Sequence, residues 1–228
     1  TASAMRTYAN RYAAAAGRSV VVFGGNDSIY RTARDLKSHG IHVEAIVDSR
    51  NDSKGDAAGV PVIRGAMVAD AIGGKAVKSV HLTDGTHINC EALAMSGGFS
   101  PIVNLACHRG KKPVWDANLL AFLPPDNGEA FTVAGSAAGK MLLSECLADG
   151  AAKGAAGGKP IDVPKCRDEA YAAAPLWWVK ESQGKAFIDY QNDATAKDLP
   201  LATQIAFLRR RMAAVAISGK PASKIKPE

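Results

Sequence analysis

Ser19-Val20-Val21-Val22-Phe23-Gly24-Gly25-Asn26-Asp27-Ser28 opens with an apolar run of strand length and breaks into a turn. Ile29 to Ser38 follows, with Ile29, Ala33 and Leu36 recurring near the helical period. Asp27 or Ser28 is placed to cap that helix, and Gly40 to close it. A second apolar run, Ile41 to Val47, ends at Asp48. Strand, turn, helix and strand in this order predict the opening of a nucleotide-binding α/β fold.

The chemistry of such a unit is specific. A helix N-terminus presents unpaired N–H groups and a partial positive charge to a phosphate. Glycines let backbone approach closely. An acid at the end of the second strand can bind ribose hydroxyls, and Asp48 lies 24 residues after Gly24. The glycine pattern is broken, however. G-x-G-x-x-G would fall on Gly24, Asn26 and Ile29, so Ile29 crowds the helix–strand contact and Asp27 repels a pyrophosphate. Two readings stay open: a structural and empty crossover, or a dinucleotide site built from Gly24, Gly25, Asn26 and Asp48.

The 228 residues suffice for one large domain or two small ones, and 47% hydrophobic with 22% charged residues is a globular composition. No apolar run reaches the length of a membrane span. The net charge of +6 is local: Arg209 to Glu228 holds six basic residues and one acid, leaving 22 basic and 21 acidic residues before it. With no basic patch interleaved with aromatics, neither nucleic acid nor membrane is an expected partner. Cys90, Cys107, Cys146 and Cys166 form no C-x-x-C pair, and five histidines lack metal spacing. Free thiols in a cytoplasmic protein are expected, with no metal ligands. No nucleophile–base pair or paired carboxylates stand out, so no catalytic residue is assigned.

Thr1 to Ala16 reads as a packing helix, with Met5, Tyr8, Tyr12 and Ala16 on one face and Gly17 ending it. Ser49 to Ala58 is a polar loop. Val60–Ile63, Met67–Ile72 and Val77–Leu82 suggest a meander, with a hairpin at Asp84-Gly85. Thr86 to Cys90 continues as a strand through Glu91 towards a glycine-rich turn at Gly97-Gly98. A short apolar run spans Leu119 to Leu123. Ala130 to Ala134 is an expected strand running into Gly135-Ser136-Ala137-Ala138-Gly139, with a helix over 140–155. These small residues either let backbone pass close to a ligand or merely allow tight packing. Ala155 to Pro160 reads as a linker, Cys166 to Ala174 as a short helix, and Lys185 to Tyr190 as a further strand-like run. Trp177-Trp178 reads as core cover.

Several stretches together resemble the α subunit of heterotetrameric sarcosine oxidase. They are Arg6–Tyr12, Val21–Phe23 with Asn26–Ser28, Ser96–Pro101, Val133–Gly139, Cys146–Gly150, and Lys185–Asp189 with Gln191–Asp193, in the family's order. The resemblance covers residues 1–199 and implies an internal piece of a longer subunit. It implies an α/β fold, a Rossmann-like dinucleotide-binding unit of the two-domain disulfide-reductase flavoprotein type, with part of a second such domain. On that plan, 1–95 is the inserted second domain with its leading helix. Residues 96–158 are the return of the first domain, and 159–199 a linker and the start of the next region. The basic tail 200–228 departs from the family's pattern and is expected to be aberrant or disordered.

The resemblance also implies a function. The family oxidises sarcosine with oxygen to glycine and hydrogen peroxide, passing a one-carbon unit to tetrahydrofolate as methylenetetrahydrofolate. FAD and FMN lie elsewhere in a complex with β, γ and δ subunits, and the α subunit carries NAD. In relatives an acid after Ala-Gly holds a flavin ribityl chain. Here that position is Ser136, which disfavours flavin and leaves NAD, with Gly135, Ser136, Met141 and Leu143 as contacts. By itself the chain is expected to be inactive. The rivals are a freestanding NAD(P)-dependent oxidoreductase, which a complete glycine fingerprint would favour, and a non-catalytic interaction module.

Overall fold

The β1 strand, Ser19–Gly24, is an inner strand of a four-stranded parallel sheet. The computed structural model describes residues 1–108, 110–125, 131–159, 161–176, 179 and 181–182, and the backbone of 187–189 and 194–195. Beside β1 lies β2, His42–Asp48, followed by β3, Val62–Arg64, and on the other flank β7, Ala92–Ser96. The order β3-β2-β1-β7, all parallel, is that of a Rossmann-like half.

Alternation along β1 sends Val20 and Val22 to one face and Val21 and Phe23 to the other. Both faces are covered, which is why this strand is a continuous apolar run rather than an alternating one. On the first face pack α2, Ser28–Ser38, through Ile29, Ala33 and Leu36, and α1, Ala2–Tyr12, through Ala2, Met5 and Ala9. On the second face lies an antiparallel meander of β4 Val68–Gly73, β5 Val77–Leu82 and β6 His87–Asn89. Val68, Val80 and Leu82 from the meander meet Val21, Phe23 and Val47. The meander thereby carries the chain from β3 across to β7.

Several expectations are corrected. The first helix stops at Tyr12, not near Gly17, because Ala13 takes a left-handed φ of 48° and donates its N–H to the Tyr8 carbonyl. Its inward face is Ala2, Met5 and Ala9, while Tyr8 and Tyr12 are exposed, with their rings tilted against each other at 5.9 Å. The Val60–Ile63 piece supplies β3 to the parallel sheet instead of the meander. The strand from Thr86 does not run on through Glu91. The Cys90 N–H still donates to Lys78 in the meander, whereas the Glu91 N–H donates 2.8 Å to Ser19 at the start of β1. One peptide unit thus switches the chain between sheets.

Beyond Ser96, α3 (Asn104–Cys107) precedes a hairpin of β8, Val114–Asp116, and β9, Ala121–Leu123. Trp115 and Phe122 pair across it edge-on at 5.1 Å. Phe131 to Ala134 is not a strand, and Ala130 lies outside the described residues. Gly135–Ala138 forms a single 3-10 turn closed by Gly139 at φ 84°, and α4 runs Leu143–Gly154. Cys166 to Ala174 is not helical and has no regular structure beyond a single bridge at Ala173. The chain comprises two compact units, Thr1–Glu181 and Ser182–Glu228. In the second unit, β10 Phe187–Asp189 and β11 Ala194–Thr195 pair as an antiparallel hairpin. The expectations for Trp177-Trp178 and the basic tail fall outside the described residues. No helix among the described residues is long and apolar enough to cross a membrane.

Candidate functional site

Gly24, Asp48 and Ser96 stand in register at the carboxyl ends of β1, β2 and β7. That edge is where open parallel sheets bind ligands. Glycine is required at position 24: a Cβ would collide with the Ser96 carbonyl and with Ile29 Cγ2. The space there is taken up by neighbouring protein.

Asn26, at the second position of the expected fingerprint, is 1% exposed. Its Nδ2 donates to the Ser96 carbonyl at 3.0 Å, and its Oδ1 accepts from the Ser28 N–H at 3.2 Å. Asn26 therefore caps α2. Asp27 occupies the cap position with φ −68° and makes no side-chain cap bond. The expected cap at Asp27 or Ser28 is corrected accordingly. At the far end Gly40 behaves as expected, with φ 74° and paired bonds from Gly40 to Lys37 and from Ile41 to Leu36.

Asp48 is 0% exposed. Its Oδ2 accepts from Tyr30 Oη at 3.0 Å and Arg50 Nη2 at 2.8 Å, and its Oδ1 from Arg50 Nε and the Arg50 N–H, each at 3.0 Å. Burial pushes the carboxyl up, but the hydrogen bonds and charge of Arg50 outweigh it and hold it below the usual carboxylate range. Arg50 is raised despite its own burial, because it also pairs with Asp27 at 2.8 Å. Burial and the Asp48 charge raise Tyr30, against the opposing hydrogen bond with Ser53. Every lone pair a ribose would need is engaged.

The mouth of the turn is crossed by the segment Asp168–Ala174. The Asp27 N–H donates to the Ala172 carbonyl at 3.0 Å, and the Ala172 N–H to Asp27 Oδ2 at 2.8 Å. The Ala174 N–H donates to the Gly25 carbonyl at 2.7 Å, and Asn26 bridges Ala173 in antiparallel fashion. Arg50 Nη1 donates to the Ala172 carbonyl at 3.0 Å. A Cβ on Gly25 would sit 2.8 Å from Ser49 Oγ and 3.1 Å from the Ala174 carbonyl oxygen. The close approach permitted by Gly25 is thus made by the chain's own backbone. Glu169 is held by Arg34 at 2.7 Å, and the Tyr171 hydroxyl accepts from the Phe99 N–H at 3.1 Å.

The second assigned turn is arranged differently. Gly135 has φ 64° and donates its N–H to Asp149 Oδ2 at 2.8 Å. Lys153 ties Asp149 and the Val133 carbonyl together. Ser136 is exposed, Met141 half-buried and Leu143 53% exposed. Asp168 accepts from both the N–H and the hydroxyl of Ser144 in the first turn of α4. A carboxylate therefore already stands where a phosphate would approach that helix.

The structure gathers Gly24, Gly25, Asn26 and Asp48 at one edge, and Gly135, Ser136, Met141 and Leu143 around one turn. Sequence reasoning missed Tyr30, Arg50 and Asp168. The signal was present as Asp168-Glu169 followed by Ala172-Ala173-Ala174, acids and then small residues, suited to meet Arg31 and Arg34 and lie against a glycine turn. Among the described residues no group of three or more His, Cys, Asp or Glu is placed to hold a metal ion.

Parallel strand order with helix and meander on its two faces defines a Rossmann-like α/β fold. Over 89% of its length the chain is homologous to sarcosine oxidase subunit alpha. It is 42% identical over 216 residues to that of Rhizobium meliloti (strain 1021) and 32% identical over 232 residues to that of Corynebacterium sp. (strain U-96). The chain spans about 22% and 24% of these relatives' own lengths. No family model matches the chain. Among solved structures it is similar to L-proline dehydrogenase from P. horikoshii, with TM-score 0.43 and 20% identity over 57% of this chain and 23% of that one. It is also similar to a NAD-dependent persulfide reductase from A. fulgidus, with TM-score 0.36 and 17% identity over 43% of this chain and 20% of that one.

Proposed function

We propose that this chain is the NAD-holding and structural part of a sarcosine oxidase α subunit. The complex would oxidise sarcosine to glycine, with hydrogen peroxide and methylenetetrahydrofolate as further products. Its partners would be β, γ and δ subunits, with FAD and FMN held elsewhere and tetrahydrofolate as acceptor. The observation that carries this reading is 42% identity across 89% of the chain. Residues 1–95 would be the inserted domain, 96–158 the return of the first domain, and 159–199 the start of the next region. The chain alone would not catalyse, and its setting would be cytoplasmic.

NAD, when bound, supplies a ring that accepts a hydride. The residues here would only hold it. The Gly135 backbone allows close approach, the exposed Ser136 hydroxyl can hydrogen-bond a sugar, and Met141 and Leu143 offer apolar contact. Because Asp168 occupies the first turn of α4, the part of NAD held here would be sugar or ring rather than pyrophosphate. The Asn26 crevice does not fit a dinucleotide, since Asp48, Gly25 and the α2 N-terminus already serve the chain itself.

Titration of the full chain with NAD tests this by calorimetry and by amide exchange at Gly135, Ser136 and Lys140. Ser136→Asp brings a second carboxylate to the turn and is expected to weaken binding at least tenfold. Equal binding by the two forms, or exchange at these amides indifferent to NAD, would reject the assignment.

A further inference from the structure

We infer that the crevice at the ends of β1 and β2 is a peptide-binding site whose ligand is the chain's own segment Asp168–Ala174, seated where a nucleotide would lie. The groups that would otherwise grip a dinucleotide grip this strap. The first amides of a phosphate-binding turn would point at oxygen, and here the Asp27 N–H takes the Ala172 carbonyl. Gly25, the residue that permits close approach, meets the Ala174 carbonyl. Arg50 joins the buried acid of β2 to the strap through Asp48 and Ala172. The recognition is main-chain pairing of the kind an exposed edge makes with an added strand. Alanines at 172–174 let the two backbones meet.

Two further contacts fix the strap's register. Glu169 pairs with Arg34 on α2, and Asp168 is bound by Ser144 on α4. The strap therefore links α2 to α4: its Ala172 carbonyl takes the Asp27 N–H just before α2, and its Asp168 carboxylate takes the Ser144 N–H in the first turn of α4. A dinucleotide could enter the crevice only by displacing these bonds, and would then face Asp27 and the folded-in Asn26.

Hydrogen exchange on the full chain tests this at the amides of Asp27, Ala172 and Ala174, with and without saturating NAD. All three are expected to be protected at least a hundredfold over free peptide, and to change less than twofold with NAD. Gly25→Val should speed exchange at Ala172 and Ala174 at least tenfold while Val21 and Val47 stay protected. If Gly25→Val does not fold, Ala174→Pro, which deletes the donor to Gly25 from a surface segment, should do the same at Ala172. Free-peptide rates at Ala172 and Ala174 in the unaltered chain would overturn the inference. So would their acceleration by NAD, which would mark a displaceable lid over a live nucleotide site. Strap rates unmoved by either substitution would also overturn it. NAD held at Gly135 reports on Gly135 and Lys140 instead, so failure of that assignment is read separately.

Discussion

Arg50→Met would leave Asp48 buried with its strongest partner gone. Removing one member of a buried pair costs about 3–5 kcal/mol, and urea unfolding should register a loss of that order. A loss under about 1 kcal/mol would mean the pair is not what holds the crevice. The pH dependence gives a second sign. With Arg50 present, the folded Asp48 carboxyl lies below its unfolded value, about 3.9. Its contribution to stability is complete above that value and is lost as pH falls through the folded one, so the unaltered chain should weaken below about pH 4. Arg50→Met removes the guanidinium's charge and its bonds to Asp48 and leaves burial, the largest influence, opposed only by the residue-50 N–H and the neighbouring hydroxyls. Burial then raises it, and the variant's deficit should shrink on acidification instead of growing. A deficit that widens as pH falls from 7 to 4 would contradict this.

At the scale of elements, α2 shows how far local chemistry decides structure. Its closing turn needs a left-handed residue, and Gly40 supplies one at φ 74°. Gly40→Ala should cost roughly 1–2 kcal/mol, whereas Gly74→Ala, where an added Cβ meets nothing within 4 Å, should stay within about 0.5 kcal/mol. Equal effects of the two in thermal unfolding would remove the conformational explanation. The β1–α2–β2 unit was legible from the sequence because each boundary is set locally, by an apolar run, a turn and a glycine. The start of α2 was less so: Asn26, not its neighbours, caps it, because Ser96 from a strand 70 residues later orients the amide. The switch at Cys90-Glu91 was illegible for a related reason. Both halves read as one extended run, and only pairing with Ser19 and Lys78 tells them apart. The short helix expected over Cys166 to Ala174 does not form, because main-chain pairing with Gly25 and Asp27 outweighs the helix propensity of its alanines.

At the scale of the molecule, the buried side chains among the described residues are concentrated on the two faces of the parallel sheet, whereas the stretch after Ser96 leaves large apolar groups in water. Ile102 is 78% and Leu105 71% exposed. Exposed apolar groups of this kind favour self-association. Ile102→Lys with Leu105→Lys should therefore raise the soluble fraction of the chain by at least twofold with little change in its melting temperature. An unchanged soluble fraction, or a melting temperature lowered by more than about 5 °C, which corresponds to about 1–2 kcal/mol at this size, would place those residues in a packed role instead. The family reading and the exposed stretch each stand or fall by a separate measurement.

A tethered occupant also changes competition. Carried on the same chain as its receptor, a segment is present at a fixed effective concentration, on the order of millimolar where the tether is short and flexible. A free metabolite of equal intrinsic affinity would have to reach that level to share the pocket evenly. Occupant and receptor also leave the ribosome in a fixed one-to-one ratio, so filling is set by translation and is indifferent to the cell's nucleotide supply.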